Sequence, residues 1–563
     1  MSTALTSREN DCRSCYKCIR VCPTKSISFR NGQASIIAGE CVMCGACYLA
    51  CPQSCKVIRD DTSKALDLIA TGHAIASVAP SFLAAFPGCD FASVREALRK
   101  LGFRDAEETA IGATIVKKQY DDLCDDGKHD IVISTCCHSL NLLVEKHYPD
   151  AAKYLAPVLS PMLAHGQDIK RRHPGAKVVF LGPCISKKGE IEMYPDYVDC
   201  VLTFIELRNL LEKKGIVVGP AKKDSEKEEK SRARLFPIDD GILLTMKRDN
   251  PDFAYLSVSG MENCIAALKD ILSGKIHHAF LEMSSCGGSC INGPALSSPH
   301  RPVESNLEIR RSAGREDFPV RSYAPAELSK RLPAFSVTSL EPSEKEIRKV
   351  LAQIGKTEKK DELNCSSCGY ATCRDKAIAV IKGKASLEMC LPYLMDKARS
   401  FSNNIVEGSD NAIVVTDEKL RIQLANASFA HLVKTGDSKG LVGTSIDTYL
   451  DSGLFSLALG GEATRNRKVY LGQYGAYVEA TVSFDPHFHI VIAVFRDVTR
   501  LEEERKKEEA AAQETSRVTA EVVEKNMRAV QEIASLLGQS AAETKVALTA
   551  LEKALNKGKG HDE

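Results

Sequence analysis

Between residues 12 and 52 the chain repeats one spacing: Cys12-x2-Cys15-x2-Cys18-x3-Cys22-Pro23, then Cys41-x2-Cys44-x2-Cys47-x3-Cys51-Pro52. Two identical four-cysteine runs do not arise by chance, and they constrain the fold more than any other feature. What the thiols do depends on compartment. The opening residues, MSTALTSREN, lack a basic stretch followed by an apolar one, which argues against a secretory signal. The strongly apolar runs, such as Ile490 to Phe495, are strand-sized, whereas a spanning helix needs about 20 apolar residues. The expectation is a cytoplasmic chain without a membrane segment. Its thiols then stay reduced, and 22 cysteines mean metal binding or catalysis rather than disulfides.

The spacing resembles the bacterial ferredoxin run, in which the fourth Cys of each copy ligates the other cluster. That resemblance implies one [4Fe-4S] cluster on Cys12, Cys15, Cys18 and Cys51, and a second on Cys41, Cys44, Cys47 and Cys22. Thiolates are soft, anionic donors matched to iron. Structural zinc is the alternative, but it typically pairs two short knuckles instead of four close cysteines ending in Pro. Cys55 is left over and reads as a packing residue. Residues 1–60 are therefore expected to form a two-cluster ferredoxin-like domain. The 563 residues as a whole have ordinary globular composition, 44% hydrophobic and 26% charged. Lys+Arg 75 against Asp+Glu 74 gives no electrostatic pointer to nucleic acid or an anionic membrane.

Residues 61–342 alternate short apolar strands with amphipathic helices, the pattern of an α/β domain with parallel sheet. Candidate strands are His73–Val78, Ile131–Ser134, Lys177–Leu181 and His278–Leu281, with helices such as Ala92–Leu101 and Pro161–Arg171 between them. The strands run into Ala79-Pro80-Ser81, Thr135-Cys136-Cys137, Gly182-Pro183-Cys184 and Ser285-Cys286-Gly287-Gly288-Ser289-Cys290. Ligands of open α/β sheets bind outside the carboxyl ends of the strands. Cysteines delivered to matched strand ends thus predict one shared metal site in a cleft. Scattered buried thiols account well enough for Cys89, Cys124, Cys200 and Cys264. The charged stretch Lys222–Arg234 reads as a solvated loop inside this domain.

Over roughly residues 1–340 the sequence resembles the [FeFe]-hydrogenases, whose active-site domain carries the signatures TSCCPxW, MPCxxKxxE and ExMxCxxGCxxGGG. This chain has Ser134-Thr135-Cys136-Cys137-His138-Ser139-Leu140, then Gly182-Pro183-Cys184-Ile185-Ser186-Lys187-Lys188-Gly189-Glu190, then Glu282 to Gly293. The resemblance implies that Cys137, Cys184, Cys286 and Cys290 hold the [4Fe-4S] half of an H-cluster. Cys290 also bridges to a two-iron unit with CO, cyanide and a dithiolate amine. By the same resemblance Lys187 and Ser81 hydrogen-bond the cyanides, and Cys136 is the proton-transfer thiol. An ammonium and a hydroxyl suit cyanide as donors, and a thiol suits a relay because its pKa lies near neutrality and moves easily. The departures are systematic. His138 and Leu140 replace the Pro and Trp of the first motif, and Gly182 and Ser284 stand where the family has methionines. The family's glutamate-bearing segment LTIMEEGTE corresponds to Thr114-Ile115-Val116-Lys117-Lys118-Gln119-Tyr120-Asp121. Lys118 is expected nearest the proton route, with Asp121 or His138 as substitutes. All four cluster ligands remain, so the departures bear on turnover and not on assembly.

The remaining 220 or so residues are not those of a bulk catalyst. Residues 343–400 begin with a helix over Ser343–Gly355 and continue into Cys365-x2-Cys368-Gly369-x3-Cys373-x16-Cys390-Leu391-Pro392. This is similar to a small [4Fe-4S] domain of bacterial redox regulators, with zinc as the alternative. In chain order it lies between the H-cluster domain and the last two segments. Residues 401–500 resemble a PAS domain through Ala412–Asp417, Arg421–Asn426 and a helix starting at Asn426. Strands Lys468–Leu471, Tyr477–Ser483 and His489–Phe495 come next, closing with Asp497-Val498-Thr499. Residues 501–563 read as one long helix. Val523, Met527, Val530, Ala534, Leu537, Ala541, Thr544, Leu548, Leu551 and Leu555 recur at spacings of four and three, arguing a dimeric coiled coil. A helix docked on its own protein is the alternative.

The expected fold is therefore multidomain, α/β and α+β: ferredoxin-like, two-lobed α/β with parallel sheets, a small four-cysteine iron-sulfur domain, PAS, and a signalling helix. The resemblance implies a sensory iron-only hydrogenase reacting reversibly with H2 at an H-cluster, supported by three further [4Fe-4S] clusters, in an anaerobe. It also implies a homodimer and an output kinase or phosphatase on another chain. A metabolic hydrogenase using ferredoxin, and an iron-sulfur redox sensor without the two-iron unit, remain open.

Overall fold

A computed structural model describes residues 4–9, 11–221, 229–296, 302–332 and 341–557. The chain divides into two compact units, Met1–Leu394 and Met395–Glu563. No helix among the described residues is long and apolar enough to cross a membrane.

The first unit opens with the cysteine runs. β1 (Leu5–Ser7) pairs antiparallel with β4 (Lys56–Ile58), and β2 (Ile27–Arg30) with β3 (Gln33–Ile36). Cys18 and Cys47 sit on the five-residue helices Lys17–Val21 and Ala46–Ala50. A residue before proline is disfavoured in helical backbone, and Cys22 and Cys51 are both extended, with ψ 113 and 109. The Cys-Pro step thus ends each short helix and turns the fourth cysteine out of its own run.

Two parallel sheets come next. One has the order β6-β5-β8-β9, from Asp105–Glu108, Ala74–Val78, Lys177–Gly182 and Cys200–Thr203. The other has the order β10-β11-β7, from Ala254–Ser259, Ala279–Ser284 and Ile131–Ile133. Every residue of β5 and β7 is buried, as expected for parallel strands covered on both faces. Helices such as Phe91–Leu101, capped by the Asp90 carboxylate accepting from the Ser93 N–H at 2.8 Å, supply that cover. Residues 222–228 of the charged stretch lie outside the described residues. Its end departs from the expected solvated loop: Arg234 is buried and forms a bidentate pair with Glu108 at the end of β6.

After the helix Glu344–Gln353, capped by Ser343, the Cys365–Cys390 segment contributes the helix Cys373–Ile381. It packs back onto the cysteine runs of the chain's start. Phe29 N–H donates to the Lys384 carbonyl at 2.8 Å, and Arg30 donates to that of Gly383 at 2.9 and 3.2 Å.

The second unit holds an antiparallel sheet of order β13-β12-β16-β15-β14, with β12 Ala412–Asp417, β13 Ile422–Ala425, β14 Thr464–Leu471, β15 Ala476–Asp485 and β16 Ile490–Asp497. The Asn426 side chain caps the helix Ala427–Leu432, accepting from Phe429 N–H at 2.9 Å. The Asp497-Val498-Thr499 turn fastens the start of the last helix. Thr499 Oγ1 donates to Asp497 at 2.6 Å and accepts from Tyr477 N–H at 2.9 Å. The helix then runs unbroken over Thr499–Lys557, and residues 503–554 are exposed throughout. Its seam residues Val523, Met527, Val530, Leu537, Leu548 and Leu551 are therefore uncovered, while the Leu555 side chain lies outside the described residues.

Candidate active site

The carboxyl ends of β5, β7, β8 and β11 open onto one cavity of about 120 Å³. Residues 79–81 follow β5, Cys136 and Cys137 follow β7, Cys184 follows β8, and Cys286 and Cys290 follow β11. All of these line the cavity, with Lys187 from the helix Ser186–Met193. Parallel pairing sets this convergence: Ile133 lies opposite Leu281 and Val78 opposite Leu181, so the strand ends emerge side by side. Ser134 Oγ ties two of them together by accepting from Met283 N–H at 3.2 Å.

Burial dominates the electrostatics of the pocket thiols. Burial pushes the Cys136 thiol up to about 12 and raises Cys184, Cys286 and Cys290 as well. These thiols are protonated in the metal-free chain at neutral pH, so loading a metal must release protons. Lys187 stays charged because Glu190 faces it. Its Nζ donates to Glu190 and, at 3.1 Å, to the Cys136 carbonyl. Lys330 and Ser160 complete the Glu190 carboxylate at 2.7 and 3.1 Å, and against the opposing effect of burial the ammonium groups of Lys187 and Lys330 hold its pKa well below the usual range. Two of the three Lys187 donors are used in this way, leaving one for a group in the cavity.

Ser81 is fully buried, and its hydroxyl has no partner among the described residues. Both ring nitrogens of buried His138 are likewise unpartnered there. An orphaned buried polar group costs about 1–3 kcal/mol unless something satisfies it. Four convergent thiols, an available ammonium donor and an orphaned hydroxyl therefore fit an anionic iron-sulfur group carrying acceptor ligands. Cys137, Cys184, Cys286 and Cys290 would hold it, with Lys187 and Ser81 as donors.

Several expectations about the proton route are corrected. Lys118 is exposed, and Lys117 is buried against Asp317 and the Thr245 carbonyl. Tyr120 reaches the pocket thiol instead, its hydroxyl 3.3 Å from Cys136 Sγ. That hydroxyl accepts from Thr135 N–H at 3.1 Å, which leaves its own proton for the Cys136 sulfur. Sequence reasoning passed over Tyr120 because its type is unlike the family's glutamates. Asp121 accepts from Lys247 N–H at 3.0 Å and is raised by burial to about 6, while burial lowers His138 to about 3. Cys136 itself holds its proton more tightly than a thiol near neutrality. At Gly182 a Cβ would come within 2.6 Å of the Phe180 ring, so that ring occupies the space a side chain there would need. Leu140, in the Trp position, is core.

The other cysteine sets also gather. Cys12, Cys15, Cys18 and Cys51 line one small cavity, and Cys365, Cys368, Cys373 and Cys390 another. Cys22 and Cys41 stand close enough to Cys44 and Cys47 to raise their pKa values; with burial the larger cause, Cys44 rises to about 12. Cys55, Cys124, Cys200 and Cys264 are buried packing residues, and Cys89 is half-buried. Among the described residues no three His, Cys, Asp or Glu side chains close on a single-ion position. The second run abuts the cavity: Gly45 packs on Pro294 and Ile185, and Lys146 donates to the Cys41 carbonyl at 2.8 Å.

Residues 72–250 and 244–294 match the family model of the iron-only hydrogenase large subunit, C-terminal domain. Residues 5–52 match a 4Fe-4S dicluster domain, and residues 361–392 a family described as "Putative Fe-S cluster". Among solved structures, a variant of the [FeFe]-hydrogenase HydA1 from Chlamydomonas reinhardtii aligns at 17% identity over 50% of this chain and 100% of its own, with a TM-score of 0.38. An [FeFe]-hydrogenase structure described as revealing stepwise H-cluster assembly aligns at 18% identity over 47% of this chain and 91% of its own, TM-score 0.35. A domain of an HTR-like protein from Haloarcula marismortui aligns at 25% identity over 16% of this chain and 100% of its own, TM-score 0.14. No curated protein matches the sequence. Residues 72–294 thus match the iron-only hydrogenase large-subunit domain, with a match to a dicluster segment before them and to an Fe-S segment after them.

Proposed function

We propose that this is a hydrogen-sensing iron-only hydrogenase. It reacts reversibly with H2, as H2 = 2 H+ + 2 e−, at an H-cluster in the strand-end cavity. The observation that carries this reading is the meeting of Cys137, Cys184, Cys286 and Cys290 with Lys187, Cys136 and the orphaned Ser81 hydroxyl in one buried pocket. When bound, the H-cluster supplies the splitting of H2 and accepts its two electrons. Cys136 holds the exchangeable proton at Sγ, and Tyr120 donates to that sulfur from behind. Lys187, fixed by Glu190, and Ser81 would orient the bound group by donating hydrogen bonds to its acceptor ligands.

Sensing is favoured over metabolic turnover by what backs Cys136. A phenol whose pKa is raised well above 10 by burial replaces a carboxylate there, and a relay works best with groups near the operating pH. The clusters on Cys12–Cys51 and Cys365–Cys390 carry the redox state onward. The sheet order β13-β12-β16-β15-β14 and the turn that fastens the last helix support a PAS reading of the second unit. The uncovered seam supports pairing of that helix with a second copy. The output enzyme, a kinase or phosphatase, is a separate chain, and the setting is cytoplasmic and anaerobic.

Phe180, filling the space beside Gly182, favours a second reading in which the two-iron unit is never installed and the protein senses redox state alone. The deciding experiment is anaerobic maturation followed by assay of H2-dependent reduction of an artificial acceptor. Activity above background carries the hydrogenase reading, and none from protein whose [4Fe-4S] sites are all loaded carries the redox sensor.

A further inference from the structure

The Cys365–Cys390 segment is fastened to the segment that carries the first two cysteine runs. Gly369, beside Cys368, lies flat on the helix Lys17–Val21, where a Cβ would come within 3.1 Å of Ile19 and of the Tyr16 carbonyl. Its φ of +89 is also glycine territory. Lys25 Nζ donates to the carbonyls of Ile19 and Arg20, each at 2.9 Å, and to that of Gly369 at 3.3 Å. An ammonium has three donors, so this lysine is spent as a staple between the two segments. Arg20 donates to the Ser366 carbonyl at 3.2 Å, and Lys384 pairs with Glu40. Tyr370, 2% exposed, shares a core with Ile19 and Cys18.

The short helix under Gly369 is an unusual place to dock. It carries Cys18 and is followed at once by Cys22. By the crossed ligation of two-cluster ferredoxins these belong to different clusters. The Cys44 side of the pair faces the hydrogenase cavity, because Gly45 packs on Pro294, a lining residue of that cavity like Cys290. Electron tunnelling falls steeply with distance and favours close-packed, bonded paths. The Gly369–Ile19 contact is such a path, one residue from a ligand at either end.

We propose that the Cys365–Cys390 cluster exchanges electrons directly with the dicluster segment across the Gly369–Ile19 contact, with Lys25 as the positioning residue that holds the contact closed. One electron leaves a reduced cluster of the dicluster segment and enters the Cys365–Cys390 cluster; no bond is made or broken and no proton moves. The ultimate reductant is H2, or dithionite in the test. The proposal rests on the proposed function in requiring clusters at both places, and it makes helix Lys17–Val21 a branch point: the hydrogenase cavity on one side, the output cluster on the other.

The test uses the full chain without the two-iron unit, reduced by dithionite and examined by electron paramagnetic resonance. Neighbouring reduced clusters split or broaden one another's signals. Coupling between the two dicluster clusters persists in Cys368→Ser; the additional splitting of their signals by the third cluster is expected in the wild type and is lost in that variant. Lys25→Met and Gly369→Leu keep every cysteine and should weaken the additional splitting with iron content unchanged; if Gly369→Leu loses iron, Lys25→Met decides. A wild-type spectrum that is the plain sum of the Cys368→Ser spectrum and an isolated third signal overturns the proposal. In matured protein under H2, the third signal should rise with those of the dicluster segment. Reduction of the dicluster segment alone, with the third cluster responding only to dithionite, also overturns it. If H2 reduces no cluster, the hydrogen reading fails and the wiring is decided by the dithionite spectra.

Discussion

The strand-end pocket and the outer cysteine sites use the same side chain in opposite ways. In the outer sites four cysteines come from short loops or from one turn of helix, and some, such as Cys15 and Cys365, are exposed. Electrons can enter and leave there. In the pocket the thiols arrive from segments spread over about 150 residues of chain, carried on strand ends of two parallel sheets; they are half-buried except Cys290, which is exposed. The difference teaches that local spacing makes conductors, whereas long-range register makes a reaction site. The first survives changes elsewhere in the fold, and the second depends on it.

The comparison breaks most completely at Cys290. Cys290→Ala is expected to reduce H2-dependent dye reduction to background while the resonance signals of the outer clusters persist. Retained activity would mean that this cysteine is not the bridging ligand. In the opposite direction, Cys368→Ser should remove about four irons per chain and leave dye-linked H2 oxidation within about twofold. An unchanged iron content, with zinc found instead, would refute the outer-site assignment.

A smaller effect sharpens the boundary between the two regions at Tyr120. Tyr120→Phe removes the hydroxyl that faces the Cys136 sulfur and should slow turnover about 10²-fold, the low end of the roughly 10²–10⁴-fold span of proton-transfer catalysis. Lys118→Glu should leave it unchanged. The reason also shows what the sequence withheld. Residues 118 and 120 lie about 200° apart around a helix, so only one can face Cys136, and the choice is made by how Ala110–Asp125 packs on the helix Pro161–Arg172. The same limit hid β6. Asp105-Ala-Glu-Glu has no strand character by composition, and its charges are tolerated because Arg95, Arg172 and Arg234 pair with them. The cysteine runs, by contrast, were legible residue by residue, since their spacing and the prolines after Cys22 and Cys51 dictate the local backbone. The four strand ends could be placed from apolar runs alone, but their meeting at Lys187 and Ser81 came only from a family resemblance.

The smallest effect concerns stability. Burial raises Glu145, near the Lys330–Glu190 pair, to about 7 from an ordinary 4.5, and one of its oxygens has no partner among the described residues. A carboxyl whose folded pKa is raised favours the native state while protonated. That contribution is complete below pH 4.5 and is lost as pH rises to about 7. On this account the wild type loses on the order of 2 kcal/mol from this group between about pH 4.5 and 8. Glu145→Gln should flatten that slope in thermal melts; an unchanged slope would place the titration elsewhere.

The most direct measurement is the infrared spectrum of the anaerobically matured chain, because only a two-iron unit gives CO and cyanide stretching bands. The account predicts such bands in the wild type, shifting when H2 replaces nitrogen. A spectrum empty in that region, from protein whose pocket and outer sites all carry iron, would contradict it.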